Sequence, residues 1–209
     1  DSGEWEGLPF THVGADFGEL EFQRYQPRRI LTELLADCDL VQVVCGSPAW
    51  ANTVVGLGKP VALQVATRVV VERRQRDGQS RGIAGWLRRQ MTRITDRLDD
   101  QALRAVDAIQ VENPWMLEYC KGLNKDRMLD LRYAPPGVDA KLFQPVPDRL
   151  DTAEPYILCV ARLSDPRKNV ELLLDAYALL PADVRERVSL KLAGSCGPPE
   201  RFWRHAETM

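Results

Sequence analysis

The stretch "YILCVARLSDPRKNVELLLDAYALL", residues 156–180, decides the fold. It opens on a short apolar run, passes through a polar loop and closes on an apolar-periodic segment that Pro181 stops. That is the pattern of a buried strand feeding a helix. "VSLKLAG" (188–194) then reads as a second strand, and a Gly/Pro loop leads to a helical tail. A strand, a helix and another strand of this spacing demand a parallel pair with a right-handed crossover. The loop places two cations, Arg162 and Lys168, where the first strand hands over to the helix.

The same grammar runs through the first two thirds of the chain. "PRRILTELLADC" (27–38) predicts a helix with Ile30, Leu31, Leu34 and Leu35 on one face. "DLVQVVC" (39–45) and "KPVALQV" (59–65) predict strands, and "SPAWANTVVGLG" (47–58) a helix with Ser47 as N-cap and Pro48 at the first position. Two more strands, 107–113 and 128–134, flank a helix over 114–123 that starts at Pro114 and ends near Gly122. In the segment 83–106, Ile83, Leu87, Met91, Ile94 and Leu98 form a helical stripe expected to pack on the sheet. Trp86 flanks it, and Arg88, Arg89, Arg93 and Arg97 lie largely off it. Residues 1–27 show no clear period.

The predicted class is therefore α/β, with two Rossmann-like parallel-sheet domains, both incomplete in this chain. The expected divisions are residues 1–146, a Pro-rich linker at 147–155, and 156–209. The chain begins at Asp1 and stops after a helical segment, which points to a piece of a longer protein.

Composition bounds the function. With 44% hydrophobic and 28% charged residues, the 209-residue chain has the profile of a folded domain and not a disordered one. A net charge of −2 provides no global field for nucleic acid, so no nucleic-acid partner is expected. The charge is uneven, however: ten arginines fall between Arg68 and Arg104, which predicts a local basic surface. Five dispersed cysteines fit reduced thiols and a cytoplasmic setting. Two histidines, His12 and His205, are too few for a zinc cluster, so no metal and no cofactor are expected. No apolar run is long enough to span a membrane.

In open parallel sheets, ligands bind beyond the carboxyl ends of the strands. Arg162, Lys168 and the start of a helix near Asn169 converge there. Arg can hold two phosphate oxygens as a fork, Lys supplies a point charge and a helix N-terminus favours an anion, so the trio suits a diphosphate. Asn169 is also a candidate N-cap. Gly194 and Ser195 follow the neighbouring strand, where a small residue lets a ligand approach the backbone. An ordinary solvated loop, with a cation paired to Asp165, is the competing reading of the same residues.

Two motifs together resemble the retaining glycosyltransferases of the GT-B fold, family 4. "YAPPGVDAKLFQP" carries Gly137, Val138, Asp139, Phe143 and Pro145 in that family's interdomain turn. "ARLSDPRKN" carries Arg162, Leu163, Lys168 and Asn169 in its donor-domain opening, with Ala161 where the family usually has glycine. The resemblance is good over 133–195 and looser over 38–197. It implies transfer of a sugar, with retention, from a nucleotide-diphosphate sugar to an acceptor of saccharide, lipid or small-molecule type. It makes Arg162 and Lys168 catalytic and donor-binding, with Asn169, Gly194 and Ser195 beside them.

On the acceptor side the resemblance implies Gly46, Ser47, Thr67, Arg68 and Glu112, with Thr67 or Arg68 standing where the family often has histidine. "HVGADFG" (12–18) is a candidate remnant of its glycine-rich loop. Its Glu-x7-Glu motif lies beyond Met209, so this piece by itself is expected to be inactive. An epimerase of the same fold and a non-catalytic binding module stay open as alternatives. The arginine-rich 83–98 helix, with Trp86, also suggests peripheral contact with the inner face of a membrane.

Overall fold

The computed structural model describes residues 1–15, 18–145, 154–198 and 200–208. The predicted linker lies almost wholly outside them. The chain divides into two compact units, Asp1–Val138 and Asp139–Met209.

The first unit is a four-stranded parallel sheet. An antiparallel hairpin, β1 (Ser2–Trp5) and β2 (Leu8–Thr11), opens the chain in the stretch that carried no sequence signal. Both of its strands are exposed on both faces, so no in–out alternation marks them. The hairpin puts a strand before His12, but an antiparallel one outside the parallel sheet. Of the candidate glycine-rich loop, Asp16 and Phe17 lie outside the described residues.

A 3-10 turn over Glu21–Tyr25 leads to α1 (Arg29–Leu34), shorter than the helix expected over 27–38. Leu31 and Leu35 pack on the core while Ile30 and Leu34 stay exposed. The sheet follows as β3 (Val41–Cys45), β4 (Val61–Val65), β5 (Ala108–Val111) and β6 (Asp130–Tyr133), in that spatial order and all parallel. These are the β-branched runs of the sequence, trimmed by one or two residues. Their inward side chains, Val61, Leu63, Val65, Ile109 and Val111, form the core with Leu103, Met116 and Cys120. Burial pushes the Cys120 thiol up to about 12, so it acts as a small hydrophobe.

Between β3 and β4 the chain makes a 3-10 helix, Pro48–Thr53, in place of the helix expected over 47–58. The arginine-rich stretch after β4 is helical, α2 (Val69–Gln79), and a tight corner returns it along α3 (Gly82–Ala105). A Cβ on Gly85 would lie 2.6 Å from the Ser80 carbonyl oxygen, so only glycine lets the corner close this tightly.

α3 packs with its polar side. Gly85, Thr92, Thr95, Asp99, Ala102 and Leu103 are its buried residues, while Ile83, Leu87 and Ile94 face solvent. Of the expected stripe only Met91 and Leu98 are half-buried, which corrects the expectation that Ile83, Leu87, Met91, Ile94 and Leu98 together rest on the sheet. α4 (Pro114–Leu123) matches its prediction. Asn113 caps it by accepting from the Met116 N–H at 2.9 Å.

The second unit holds a parallel pair, β7 (Tyr156–Val160) and β8 (Ser189–Ala193). Between them run α5 (Val170–Ala178) and a short α6 (Ala182–Arg187) that the sequence reading did not separate, and α7 (Glu200–Ala206) follows. Leu163, Val170, Leu174 and Phe202 form its core, with Cys159, Leu190 and Leu192 packed against them.

Candidate functional site

The loop after β7 is shaped by opposite demands on neighbouring residues. Leu163 is buried in the core of the second unit, so it pins the loop down. Arg162 precedes it and points outward, with its side chain 64% exposed. The next residues turn through a 3-10 helix, Pro166–Lys168. Asp165 caps this helix by accepting from the Arg167 N–H at 3.1 Å.

Asn169 closes the turn in the left-handed region, φ 47° and ψ 47°, a conformation asparagine tolerates better than most residues. It stands at the N-cap position of α5 but makes no side-chain cap hydrogen bond, which corrects its predicted capping role.

Asp165 organises the charges of this loop. Its carboxylate accepts from the Arg167 guanidinium at 2.9 Å and contacts Arg162 at 3.4 Å. Arg167, and Arg162 after it, hold the Asp165 carboxyl down to about 2, so it stays ionised at neutral pH. The closer partner is Arg167, a residue the sequence reading passed over. Arg162 is thus only loosely engaged. Lys168 is exposed and makes no ion pair among the described residues.

Register brings Gly194 and Ser195 to the same edge. Val160 pairs with Ala193, and the Ala161 N–H donates to the Ala193 carbonyl at 3.0 Å. Gly194 therefore lies against Ala161: a Cβ there would sit 1.9 Å from the Ala161 carbonyl oxygen and 3.3 Å from Leu163 Cγ. The glycine is required by the chain's own strand ends. Ser195 is exposed beside it. All five donor-side residues thus stand on the two adjacent loops at the carboxyl end of β7 and β8.

In the first unit the strands end in step. Cys45 pairs with Val65, Val65 with Val111, and Val111 with Tyr133. Gly46–Ser47, Thr67–Arg68 and Glu112 consequently form a row along the carboxyl edge of the sheet. Within that row the side chains differ. The Ser47 hydroxyl donates to the Asp99 carboxylate at 2.6 Å and makes no cap hydrogen bond to the 3-10 helix it precedes, which corrects its predicted N-cap role. Arg68 is buried; one guanidinium nitrogen forms an ion pair with Asp96 at 2.7 Å and donates to Asp100 at 2.9 Å, and the guanidinium lies 4.0 Å from the centre of the Tyr119 ring. The Tyr119 hydroxyl donates to Asp100 at 2.6 Å. Glu112 is half-buried, Gly46 is exposed, and the Thr67 hydroxyl reaches only its neighbour's carbonyl, at 3.4 Å.

Arg68 therefore ties α3 and α4 to the end of β4. Replacing it by lysine keeps the charge but loses the planar guanidinium that reaches both carboxylates while stacking on the ring. We expect Arg68→Lys to lower stability by about 1.5–3 kcal/mol, the scale of a hydrogen bond to a charged group. Urea denaturation measures this, and an unchanged midpoint would show the cluster to be dispensable.

Asp139 fixes the turn that follows it. Its carboxylate accepts from the Lys141 and Leu142 N–H groups at 2.8 and 3.3 Å.

Two parallel Rossmann-like sheets, with polar loops gathered at their carboxyl ends, place the chain in the α/β fold class, in which such edges are the usual place for ligands. No protein-family model matches the chain. Two curated Escherichia coli proteins, each described as a serotype-specific mannosyltransferase WbdA, are 33% identical to it over 101 residues. The match covers 44% of this chain but only 12% of each relative's length. The chain thus corresponds to only a small part of each of these relatives.

Proposed function

We propose that the chain belongs to a retaining glycosyltransferase of the GT-B fold, family 4. In this reading it moves a sugar from a nucleotide-diphosphate donor to a hydroxyl-bearing acceptor. The observation that carries it is the pair Arg162 and Lys168, one loosely held and one without an ion-pair partner among the described residues, on a loop pinned by Leu163 beside Gly194.

The chemistry follows from charge. The bond between the sugar's anomeric carbon and the β-phosphate oxygen breaks, and negative charge builds on the departing diphosphate. Fixed cations stabilise that charge most where water is excluded. Arg162 exchanges its 3.4 Å contact with Asp165 for phosphate oxygens, while Asp165 keeps its tighter partner, Arg167. Lys168 adds a second positive charge near the start of α5. The acceptor hydroxyl gives its proton to the leaving phosphate, so no dedicated general base is needed. Asn169 and Ser195 line the same edge, and Gly46 and Glu112 present the acceptor side.

Calorimetric titration with a panel of nucleoside diphosphates tests this. Arg162→Ala and Lys168→Ala should each weaken the binding by roughly 1–3 kcal/mol, the scale of a charge-assisted hydrogen bond. Equal affinity in wild type and both variants would remove the diphosphate assignment.

A further inference from the structure

α3 carries an apolar stripe on the side opposite its packed face. Ile83, Leu87 and Ile94 are 80%, 55% and 38% exposed, and Trp86, alongside, is 53% exposed. Their spacing keeps them on one side of the helix, while Gly85, Thr92, Thr95 and Asp99 hold the other side to the unit. The arrangement is amphipathic with the apolar side turned to water. Such a stripe costs solubility unless something covers it.

The charges around the stripe indicate what covers it. From Gly82 to Thr95 the helix contains Arg88, Arg89 and Arg93 and no acid, and Arg97 follows one turn on; Arg88 and Arg89 donate to Ser80 at the corner, so Arg93 and Arg97 are the cations left beside the stripe. Arg93 and Arg97 are exposed and form no ion pair among the described residues. Arg74 and Arg76 on α2 and Arg81 at the corner are exposed as well. Arg68, in contrast, is neutralised by Asp96 and Asp100 in the packed interior. The outward side of the hairpin is thus locally cationic in a chain whose net charge is −2. A second copy docked stripe to stripe would bring arginine against arginine.

We infer that the exposed side of α3, from Ile83 to Arg97, seats the chain on an anionic lipid surface. Trp86, Leu87, Ile83 and Ile94 enter the headgroup boundary while Arg93 and Arg97 meet phosphate. The inference is independent of the sugar-transfer reading and is tested without it.

The test is sedimentation of the full chain with vesicles of phosphatidylcholine alone and of phosphatidylcholine mixed with phosphatidylglycerol. The chain should sediment with the mixed vesicles and not with the pure ones, and added salt should weaken the binding. Leu87→Ser and the double variant Arg93→Glu/Arg97→Glu should each lower the partition coefficient on the order of tenfold. Both change exposed positions, so their urea midpoints should match wild type, which separates lost binding from lost folding. Negligible sedimentation with both vesicle types would overturn the inference. So would vesicle binding that neither variant alters, or a concentration-dependent dimer abolished by Leu87→Ser in a chain that ignores vesicles.

Discussion

Gly194→Ala should destabilise the second unit by about 3 kcal/mol or more, the upper end of what overpacking costs a well-packed site. The added methyl would be built 1.9 Å from the Ala161 carbonyl oxygen, a backbone atom that cannot rotate away. That carbonyl belongs to the residue whose N–H joins β7 to β8 through Ala193. Relief therefore requires the strand ends to part, and the Arg162 loop moves with them. The same substitution at Gly197, three residues on, meets nothing within 4 Å. Gly197→Ala should leave the urea midpoint unchanged, and Gly194→Ala should lower it and weaken nucleoside diphosphate binding together. Identical midpoints for the two alanine variants would mean that the strand ends are not packed as described.

The contrast between these two glycines shows where sequence reading stops. Gly194 could be located from sequence at the end of a strand, and smallness there suggested a ligand against the backbone. What meets it first is Ala161, and nothing in the order of residues names that contact. The strands themselves were readable because β-branched apolar runs have few other places to go in a soluble chain. α4 was readable because Asn113, Pro114 and Gly122 punctuate it.

α2 was missed because its arginines hide any apolar period, and the first hairpin because both of its faces are wet. α3 was found as a helix but turned the wrong way round. Periodicity assumes that apolar residues seek the core, whereas α3 buries Thr95 and Asp99 with Leu103 and leaves Ile83 outside. At the candidate site, Arg162 and Lys168 could be placed by position alone. The grip of Asp165 on Arg167, and the burial of Arg68 among Asp96, Asp100 and Tyr119, depend on side-chain geometry and on partners far along the chain.

Asp99 explains why α3 turns its polar side inward, and its removal should be among the costliest single changes in the chain. The residue is fully buried, and its two carboxylate oxygens accept from three donors: the Ser47 hydroxyl at 2.6 Å, the Ala49 N–H at 2.9 Å and the Val69 N–H at 2.8 Å. One side chain thus satisfies the starts of the Pro48–Thr53 helix and of α2, which are otherwise uncapped by their own flanking residues. Asp99→Ala would leave those buried N–H groups without acceptors at about 1–3 kcal/mol each. That is a large part of the 5–15 kcal/mol by which domains of this kind are typically stable, so this variant is expected to be poorly folded.

Asp99→Asn gives the more informative measurement. Its one remaining acceptor oxygen should keep the fold at a loss of about 1–3 kcal/mol. The pH dependence then separates the forces acting on the carboxyl. Burial pushes the Asp99 carboxyl up from its ordinary value, and the three donors pull it part of the way back down. A carboxyl that binds its proton more tightly when folded contributes most at low pH. That contribution fades as pH rises from about 4 through the folded value. Asparagine does not titrate, so the stability advantage of wild type over Asp99→Asn should be largest in acid and shrink toward neutrality. Urea titrations of both chains across that range decide the matter. An advantage that grows with pH would show the three donors outweighing burial, with the carboxylate held at these helix starts as a stabilised anion.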